Sequence, residues 1–295
     1  MRRYRAYGLG IASDVPLPEL TPTSGDVPAD VTVSWNPARD VFGIPPEGEL
    51  KFGEARARYA LASVGVFHIR PDAVDVTPAT GVPEAVARHW LIAQALAILL
   101  FLRGAAVLHA SAVASPDGVA VFLGESGYGK STLALACVDA GFDFVSDDIV
   151  PLTLRDGVAT TIAGVAQMKL TRQTARAASI PEEQLGPVHE RTSKARLAPP
   201  RVAEQRPLPV RRIYRLATGP DLVLEPTVPA QAILELTRFS YLVRRIDATI
   251  EAEHFRRVAA VAAVTPMRTF RRPRDLSRLA EGVELVIRDL AHGEA

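Results

Sequence analysis

A glycine-rich run in the middle of the chain has the spacing G-x-x-x-x-G-K-[ST], which is typical of loops that bind nucleotide phosphates. We call this run the phosphate loop, and it reads Gly124, Glu125, Ser126, Gly127, Tyr128, Gly129, Lys130 and Ser131, followed by Thr132. Glycines let backbone N–H groups wrap closely around phosphate oxygens, and the start of a helix favours negative charge. These nine residues are therefore predicted to bind a nucleotide, with Lys130 at the β- and γ-phosphates and Ser131 as a ligand of Mg²⁺.

Two adjacent acids, Asp147 and Asp148, begin seventeen residues after Lys130. They end a predicted strand, and ligands of α/β sheets bind at the carboxyl ends of strands. A carboxylate can ligate Mg²⁺ or accept the proton of a hydroxyl group. Beside the phosphate loop the pair indicates a reaction centre, whereas an Asp-Asp pair alone is usually a solvated turn.

Three other polar residues are candidates for the functional site, and each can also be interpreted as a purely structural or surface residue. His109 lies on the predicted strand that precedes the apolar strand 119–123, as a site residue or as a hydrogen-bonded structural one. Lys169 and Arg172 either neutralise a transferring phosphate or belong to a solvated basic face. Cys137 is the single cysteine, so a disulfide framework or a cysteine-based zinc site within one chain is excluded, and we expect it in the core.

The elements around the loop predict an α/β fold. The fully apolar run 119–123 is typical of a strand buried on both faces, and a helix of about ten residues follows the loop. A hairpin is expected at Arg155-Asp156-Gly157. Residues 1–82 predict a β-rich N-terminal domain, and residues 83–295 a kinase-like domain whose first helix begins at Pro83-Glu84. C-terminal helices are predicted near 229–238, 251–263 and 275–291.

Composition narrows the classes of protein. With 48% hydrophobic and 23% charged residues, the 295-residue chain is globular. The net charge of +1 conceals −6 over residues 1–150 (11 basic, 17 acidic) and +7 over residues 151–295 (23 basic, 16 acidic). The basic half could attract an acidic peptide or a phosphorylated product. The sequence contains no recognisable helix-turn-helix or zinc signature, so we do not expect nucleic acid as a partner.

The most apolar stretch, Trp90 to Leu102, has thirteen residues, whereas a membrane span needs about 20. We therefore expect a buried helix and no membrane partner. The basic N-terminus lacks the apolar segment of a signal sequence, which favours a cytoplasmic location. The sequence leaves the oligomeric state open, including a homo-oligomer.

Three segments together resemble the HPr kinase/phosphorylase family: the His109 strand 108–113, the phosphate loop, and the strand 141–148 that ends in the acid pair. This compact order is shared chiefly with HPr kinases and phosphoenolpyruvate carboxykinases, and it covers about 45 residues, 105–150. Over the whole chain the sequence is similar to HPr-kinase-related proteins, some found beside lasso-peptide biosynthesis genes. Those proteins begin with a segment like Tyr7-Gly8-Leu9 followed by Leu17-Pro18-Glu19-Leu20.

The resemblance implies a core of the HPr-kinase and phosphoenolpyruvate-carboxykinase type that uses ATP and Mg²⁺. It implies transfer to a serine of a peptide or small protein, such as a lasso-peptide precursor. Carried over, Lys130 and the loop hold the phosphates, Ser131 and Asp148 ligate the metal, and Asp147 accepts the serine proton. The two acids could exchange these roles. His109 matches the family's histidine near the phosphates.

Departures from the family pattern restrict that expectation. Thr132 stands where the HPr enzymes have Glu, and Phe142 stands where they have His. The segment 162–169 lacks their later combination of Glu, Arg and Gly, which is associated with the dephosphorylating reaction. These differences argue against phosphorylase activity and against HPr as the substrate. A small-molecule kinase on the same scaffold and a non-catalytic nucleotide sensor are the alternatives.

Overall fold

A computed structural model of the chain describes residues 1–23, 27–187, 194–242 and 248–292. These residues form two large sheets, a small third sheet and helices around them. The predicted α/β class is confirmed as a mixed α/β fold.

The N-terminal sheet has eight strands in the order β3-β1-β2-β4-β8-β7-β6-β5. Its strands are β1 (Arg2–Ala6), β2 (Leu9–Ser13), β3 (Thr21–Pro22), β4 (Val31–Trp35), β5 (Glu49–Gly53), β6 (Arg56–Leu61), β7 (Gly65–Arg70) and β8 (Ala73–Pro78). Side chains alternate along β7, so Phe67 and Ile69 are buried while His68 and Arg70 are exposed. The sheet therefore has one apolar face that needs a cover.

A long helix covers that face. It consists of α1 (Glu84–Trp90), a π-helical turn (Leu91–Ala95) and α2 (Leu96–Leu102). It shares one core with Tyr59 and Phe67 of the sheet. By length and mean hydropathy (1.8), residues Glu84–Leu102 could cross a membrane, but 67% of the most apolar window is buried inside the protein, as in a core helix.

The domain boundary predicted after residue 82 falls in the turn between β8 and α1. The packing of α1 and α2 joins them to the N-terminal sheet, since their apolar side chains complete its core. The division into residues 1–82 and 83–295 stays a prediction.

The central sheet is mixed, with the order β12-β10-β11-β18-β14-β13-β9, and β20 joins it beside β18 and pairs with β19. The strands are β9 (Ala106–Leu108), β10 (Ala110–Ser115), β11 (Gly118–Leu123), β12 (Asp143–Asp147), β13 (Val150–Arg155), β14 (Val158–Thr161), β18 (Leu208–Thr218), β19 (Val223–Pro226) and β20 (Met267–Arg272). Strand β11 is buried along its whole length, as predicted, because helices cover both faces of the sheet. The predicted hairpin forms between β13 and β14.

Two helices lie on each face of the central sheet. On one face are α3 (Lys130–Asp139) and α7 (Leu279–Ala291), and on the other α5 (Pro229–Arg238) and α6 (Ala248–Val264). The three predicted C-terminal helices are thus confirmed, with bounds shifted by a few residues in the last two. Cys137 is fully buried in α3, also as predicted.

A small antiparallel sheet stands beside α3, in the order β15-β17-β16. Its strands are β15 (Met168–Thr171), β16 (Leu185–Pro187) and β17 (Lys194–Leu197). The short helix α4 (Arg172–Ala177) follows β15 and begins with Thr171, whose side chain accepts a hydrogen bond from the Thr174 backbone N–H. This sheet brings Lys169 and Lys194 to the end of α3 where the phosphate loop lies.

A buried ion cluster fixes α7 to the central sheet. Asp289 of α7 pairs with Arg212 of β18 at 3.1 Å and with Arg268 of β20 at 2.9 Å. The Tyr214 hydroxyl donates to the same carboxylate at 2.8 Å. Since Arg212 is only 2% exposed, removing Asp289 takes a counter-charge away from a site that water hardly reaches.

We expect Asp289→Ala to lower the free energy of unfolding by about 3 kcal/mol, because a buried cation loses its counter-charge. Glu284→Ala is the matched control on the same helix, since Glu284 is 71% exposed, and it should cost less than about 0.5 kcal/mol. Urea unfolding of both variants measures the difference. Equal losses would show that the cluster does not stabilise the fold.

Candidate functional site

The phosphate loop lies between β11 and α3, as the motif requires. Gly127 and Gly129 both have φ of +82°, a backbone conformation that other residues adopt only with strain. The left-handed Gly129 turns the chain directly into α3. Loop backbone and helix N-terminus thus form a concave surface that suits a phosphate group.

Lys130 is 7% exposed, and its side chain folds back over the loop. Its Nζ donates to the carbonyl oxygens of Gly124 at 2.8 Å and Glu125 at 3.3 Å. Burial lowers the pKa of Lys130, while the nearby Asp147 carboxylate opposes that shift. The lysine is positioned to exchange these carbonyl contacts for phosphate oxygens.

A cavity of about 420 Å³ opens in front of the loop, within the range of roughly 300–1,000 Å³ usual for small-molecule sites. Of the predicted residues, its lining includes His109, Ser126, Gly127, Tyr128, Gly129, Lys130, Ser131, Thr132, Asp147, Asp148 and Lys169. Gly124 and Glu125 lie outside the lining, and the Glu125 carboxylate pairs with Arg238. Arg172 is also outside, since it pairs with Glu182 at the surface.

Asp147 is held by three donors from three different elements. Its Oδ1 accepts from Ser111 of β10 at 2.6 Å and from Ser131 of α3 at 2.9 Å. Its Oδ2 accepts from the Lys169 backbone N–H at 2.9 Å. The Ser131 hydroxyl therefore meets Asp147, whereas the resemblance pairs it with Asp148 for the metal.

Asp148 has a different environment, although it is the next residue. Its φ is +78°, so the chain turns sharply after Asp147 and separates the two carboxylates. The Lys169 ammonium contacts its Oδ2 at 2.5 Å. Burial raises the pKa of Asp148, but the Lys169 charge outweighs burial and holds that pKa well below its ordinary value. Asp148 is therefore ionised at neutral pH.

His109 lies next to Asp148, in the break between β9 and β10, so the prediction that it belongs to a continuous strand is wrong. Its Nδ1 is 3.2 Å from the Asp148 carbonyl oxygen and 3.4 Å from Oδ1. Its backbone N–H donates to Phe239 at 2.7 Å, which fixes the strand break between β9 and β10. Burial lowers the pKa of His109 against the opposing effect of Asp148, so the ring is largely neutral at pH 7.

Sequence reasoning missed several polar residues of this site, among them Ser111, Lys194, Arg272 and Arg274. Ser111 is two residues after His109, and that strand spacing could have indicated it. The others come from distant parts of the chain without a motif. Arg272 is buried and donates to the Tyr128 carbonyl at 2.8 Å, and the Arg274 guanidinium lies 4.7 Å from the centre of the Tyr128 ring.

Within the described ranges, no group of three or more His, Cys, Asp or Glu side chains is placed to hold a metal ion. A cation at this site would therefore depend on few protein ligands together with phosphate oxygens. The Ser131 hydroxyl and the Asp147 carboxylate, 2.9 Å apart, are oxygen donors of the kind Mg²⁺ prefers.

Comparisons with known proteins give structural likenesses alone. No model of a protein family matches the chain, and no curated protein matches it. It is similar to the solved HPr(Ser) kinase/phosphatase from Coxiella burnetii, with 14% identity and a TM-score of 0.36, over 62% of this chain and 94% of that one. At that identity and TM-score the likeness carries no argument about activity, which has to come from the site.

The two loop glycines provide a matched pair for testing the Arg272 contact. Both have the same φ, but a Cβ on Gly129 would meet Arg272 Nη2 at 2.2 Å, whereas one on Gly127 meets nothing within 4 Å. We expect Gly129→Ala to lower the free energy of unfolding by about 2 kcal/mol more than Gly127→Ala, because Arg272 loses its bond to Tyr128. Chemical denaturation of both variants measures this. Equal losses would show that Arg272 shifts without cost.

The Asp148–Lys169 pair predicts a pH dependence of stability. The pKa of Asp148 is below its unfolded value of about 3.9, so its stabilisation is present above that pH and is lost as pH falls. Lys169→Met should therefore reduce the free energy of unfolding most above pH about 4, and the gap to wild type should narrow on acidification. Lys51→Met, at a 69%-exposed lysine, is the control with little effect. A gap independent of pH would contradict this account.

Proposed function

We propose that this chain is an ATP-dependent kinase that transfers the γ-phosphoryl group to a serine hydroxyl of a peptide or small protein. The observation that carries the proposal is the meeting of the phosphate loop, the Ser131–Asp147 contact and the ionised Asp148 in one cavity. Phosphoryl transfer asks a protein chiefly for positioning and charge neutralisation, and the cavity offers both.

Phosphate binding rests on the loop amides and on the cations around them. Lys130 contacts carbonyl groups of the loop itself, while Lys194 and Arg274 line the same cavity. Arg272 supports the loop from beneath through its bond to the Tyr128 carbonyl. A triphosphate would thus be surrounded by positive charge from several elements, and charge-assisted hydrogen bonds to phosphate are among the strong ones.

Ser131 and Asp147 would hold Mg²⁺, because the hydroxyl and carboxylate oxygens already adjoin at the start of α3. When bound, Mg²⁺ neutralises charge on the β- and γ-phosphates. This assignment exchanges the roles that the resemblance implies for the two acids. Ser111 and the Lys169 backbone N–H keep the Asp147 carboxylate oriented toward Ser131.

Asp148 would orient the acceptor hydroxyl and take its proton, assisted by its neighbours Lys169 and His109. A carboxylate with a lowered pKa is a weak base, but it is always ionised and accepts a hydrogen bond strongly. In a loose transition state the proton need not leave early, so orientation matters more than basicity. The neutral His109 ring helps to fix the Asp148 turn through its Nδ1 contact.

If Asp147 holds the metal and Asp148 orients the acceptor hydroxyl, substitutions of the two acids should have different kinetic effects. Asp147→Asn should raise the Mg²⁺ concentration needed for half-maximal rate, because a metal ligand loses its charge. Asp148→Asn should retain MgATP affinity and lose most of kcat, about 10²-fold or more. Steady-state kinetics across a Mg²⁺ series measures both. A shifted Mg²⁺ requirement in Asp148→Asn alone would restore the assignment that the resemblance implies.

The function itself is tested with [γ-³²P]ATP, Mg²⁺ and a panel of acceptors. The panel holds a randomised peptide library centred on serine, a lasso-peptide precursor, free serine, glycerol and glucose. We expect label on serine of peptides and none with Lys130→Ala, since that variant loses the cation at the β- and γ-phosphates. Label on glucose or glycerol instead would favour the small-molecule kinase. Tight MgATP binding with no transfer to any acceptor would favour the nucleotide sensor.

A further inference from the structure

A second and smaller cavity lies behind the acid pair, between the N-terminal sheet and the central sheet. Its volume is about 40 Å³. Asp147, Asp148 and Lys169 line both this cavity and the larger one that holds the phosphate loop. The acid pair and Lys169 therefore face both the larger and the smaller cavity.

The N-terminal residues build the outer wall of the small cavity. Tyr7 is buried in the turn between β1 and β2 with φ of +54°, and its backbone N–H donates to Ala163 at 2.9 Å. Its ring lies against Gly164, where a Cβ would come within 2.6 Å of the ring and 2.5 Å of Ser146 Oγ. The strained turn of Tyr7 thus packs directly behind the strand that carries the acids.

Ion pairs of Glu19 form another part of the wall of the small cavity. Glu19 pairs with Arg88 of α1 at 3.4 Å and with Arg196 of β17 at 3.8 Å. Gln167 donates to the Glu19 carbonyl at 3.1 Å. These contacts join the N-terminal domain to the core across the cavity, so its width is set by both domains.

The in-line geometry of phosphoryl transfer indicates which reactant each of the two cavities would hold. The attacking and leaving oxygens lie roughly in line on opposite sides of the γ-phosphorus. The phosphate loop places the nucleotide in the large cavity. Asp148 lines both cavities, so an acceptor oxygen that reaches it from the small cavity would approach the γ-phosphorus from a side that the nucleotide does not occupy.

We propose that the acceptor hydroxyl enters through this interdomain cavity, so that the N-terminal domain forms half of the acceptor site. This rests on the proposed function. The acceptor oxygen forms a bond to the γ-phosphorus while the bond to the β–γ bridging oxygen breaks. ADP leaves with that electron pair, and the hydroxyl proton passes to Asp148.

The size of the cavity selects the class of acceptor. At 10–15 Å³ for each water-sized group, 40 Å³ admits about three such groups. The oxygen, Cβ and Cα of a serine fill that space, whereas a sugar ring with about a dozen heavy atoms exceeds it. The acceptor is thus a slender hydroxymethyl group on an extended chain.

Ala93, in the π-helical turn, lines the small cavity and not the large one. Ala93→Leu adds three carbons there, and we expect kcat/KM for the serine-centred peptide library to fall at least about tenfold. The Kd for MgATP, measured by calorimetry, should stay within about twofold. Ala252→Leu, on the exposed face of α6, is the matched control with unchanged kinetics.

The results of these experiments test the interdomain acceptor route separately from the proposed kinase function. Transfer by Ala93→Leu at the wild-type rate would overturn the interdomain route, as would wild-type transfer to glucose as fast as to peptides. If Ala93→Leu does not fold, as judged by its thermal unfolding, Ala93→Val makes the same comparison with a smaller expected loss. Failure of the proposed function is distinct, because wild type itself would then bind MgATP and transfer to no acceptor.

Discussion

Three hydrogen bonds to the Asp147 carboxylate connect the parts of this molecule that matter for its chemistry. Their donors come from β10, which is paired with the strand before the phosphate loop, from the helix after the loop and from the small sheet beside it. Asp147 is only partly buried, and a hydrogen bond to a charged group contributes about 1.5–3 kcal/mol to stability. Asp147 therefore fixes the relative positions of the phosphate loop and of the neighbouring Asp148.

The charge asymmetry of the chain is only partly reflected in the site. The first 150 residues, with −6, contain the two acids and Lys130, and the rest, with +7, supplies the other cations of the cavity, Lys169, Lys194, Arg272 and Arg274. Three of the four lysines, Lys130, Lys169 and Lys194, line the cavity in front of the phosphate loop. The remaining one, Lys51, lies exposed in the N-terminal sheet. Many of the arginines instead form surface pairs, as Arg172 does with Glu182.

The sequence predicts the local parts of this site well and its long-range parts poorly. The loop, the acid pair and His109 lie within 45 residues, so strand and helix periodicity brings them together without further knowledge. The roles of the two acids depend on the φ of Asp148 and on donors from β10 and β15, which no spacing reveals. Arg272 and Arg274 arrive from a strand more than 100 residues later, and Tyr7 from the other end of the chain. Their contribution comes from the topology of the sheets.

We propose that the phosphate loop, Ser131 and Asp147 together hold a divalent cation that is bound to a nucleoside triphosphate. Electron paramagnetic resonance of Mn²⁺ with the non-hydrolysable analogue β,γ-imido-ATP tests it directly. The account predicts a protein-bound Mn²⁺ signal with phosphorus couplings from the nucleotide. It also predicts that the number of water ligands rises by one in Ser131→Ala. A signal of free, fully hydrated Mn²⁺ in the presence of the wild-type chain and the analogue would contradict it.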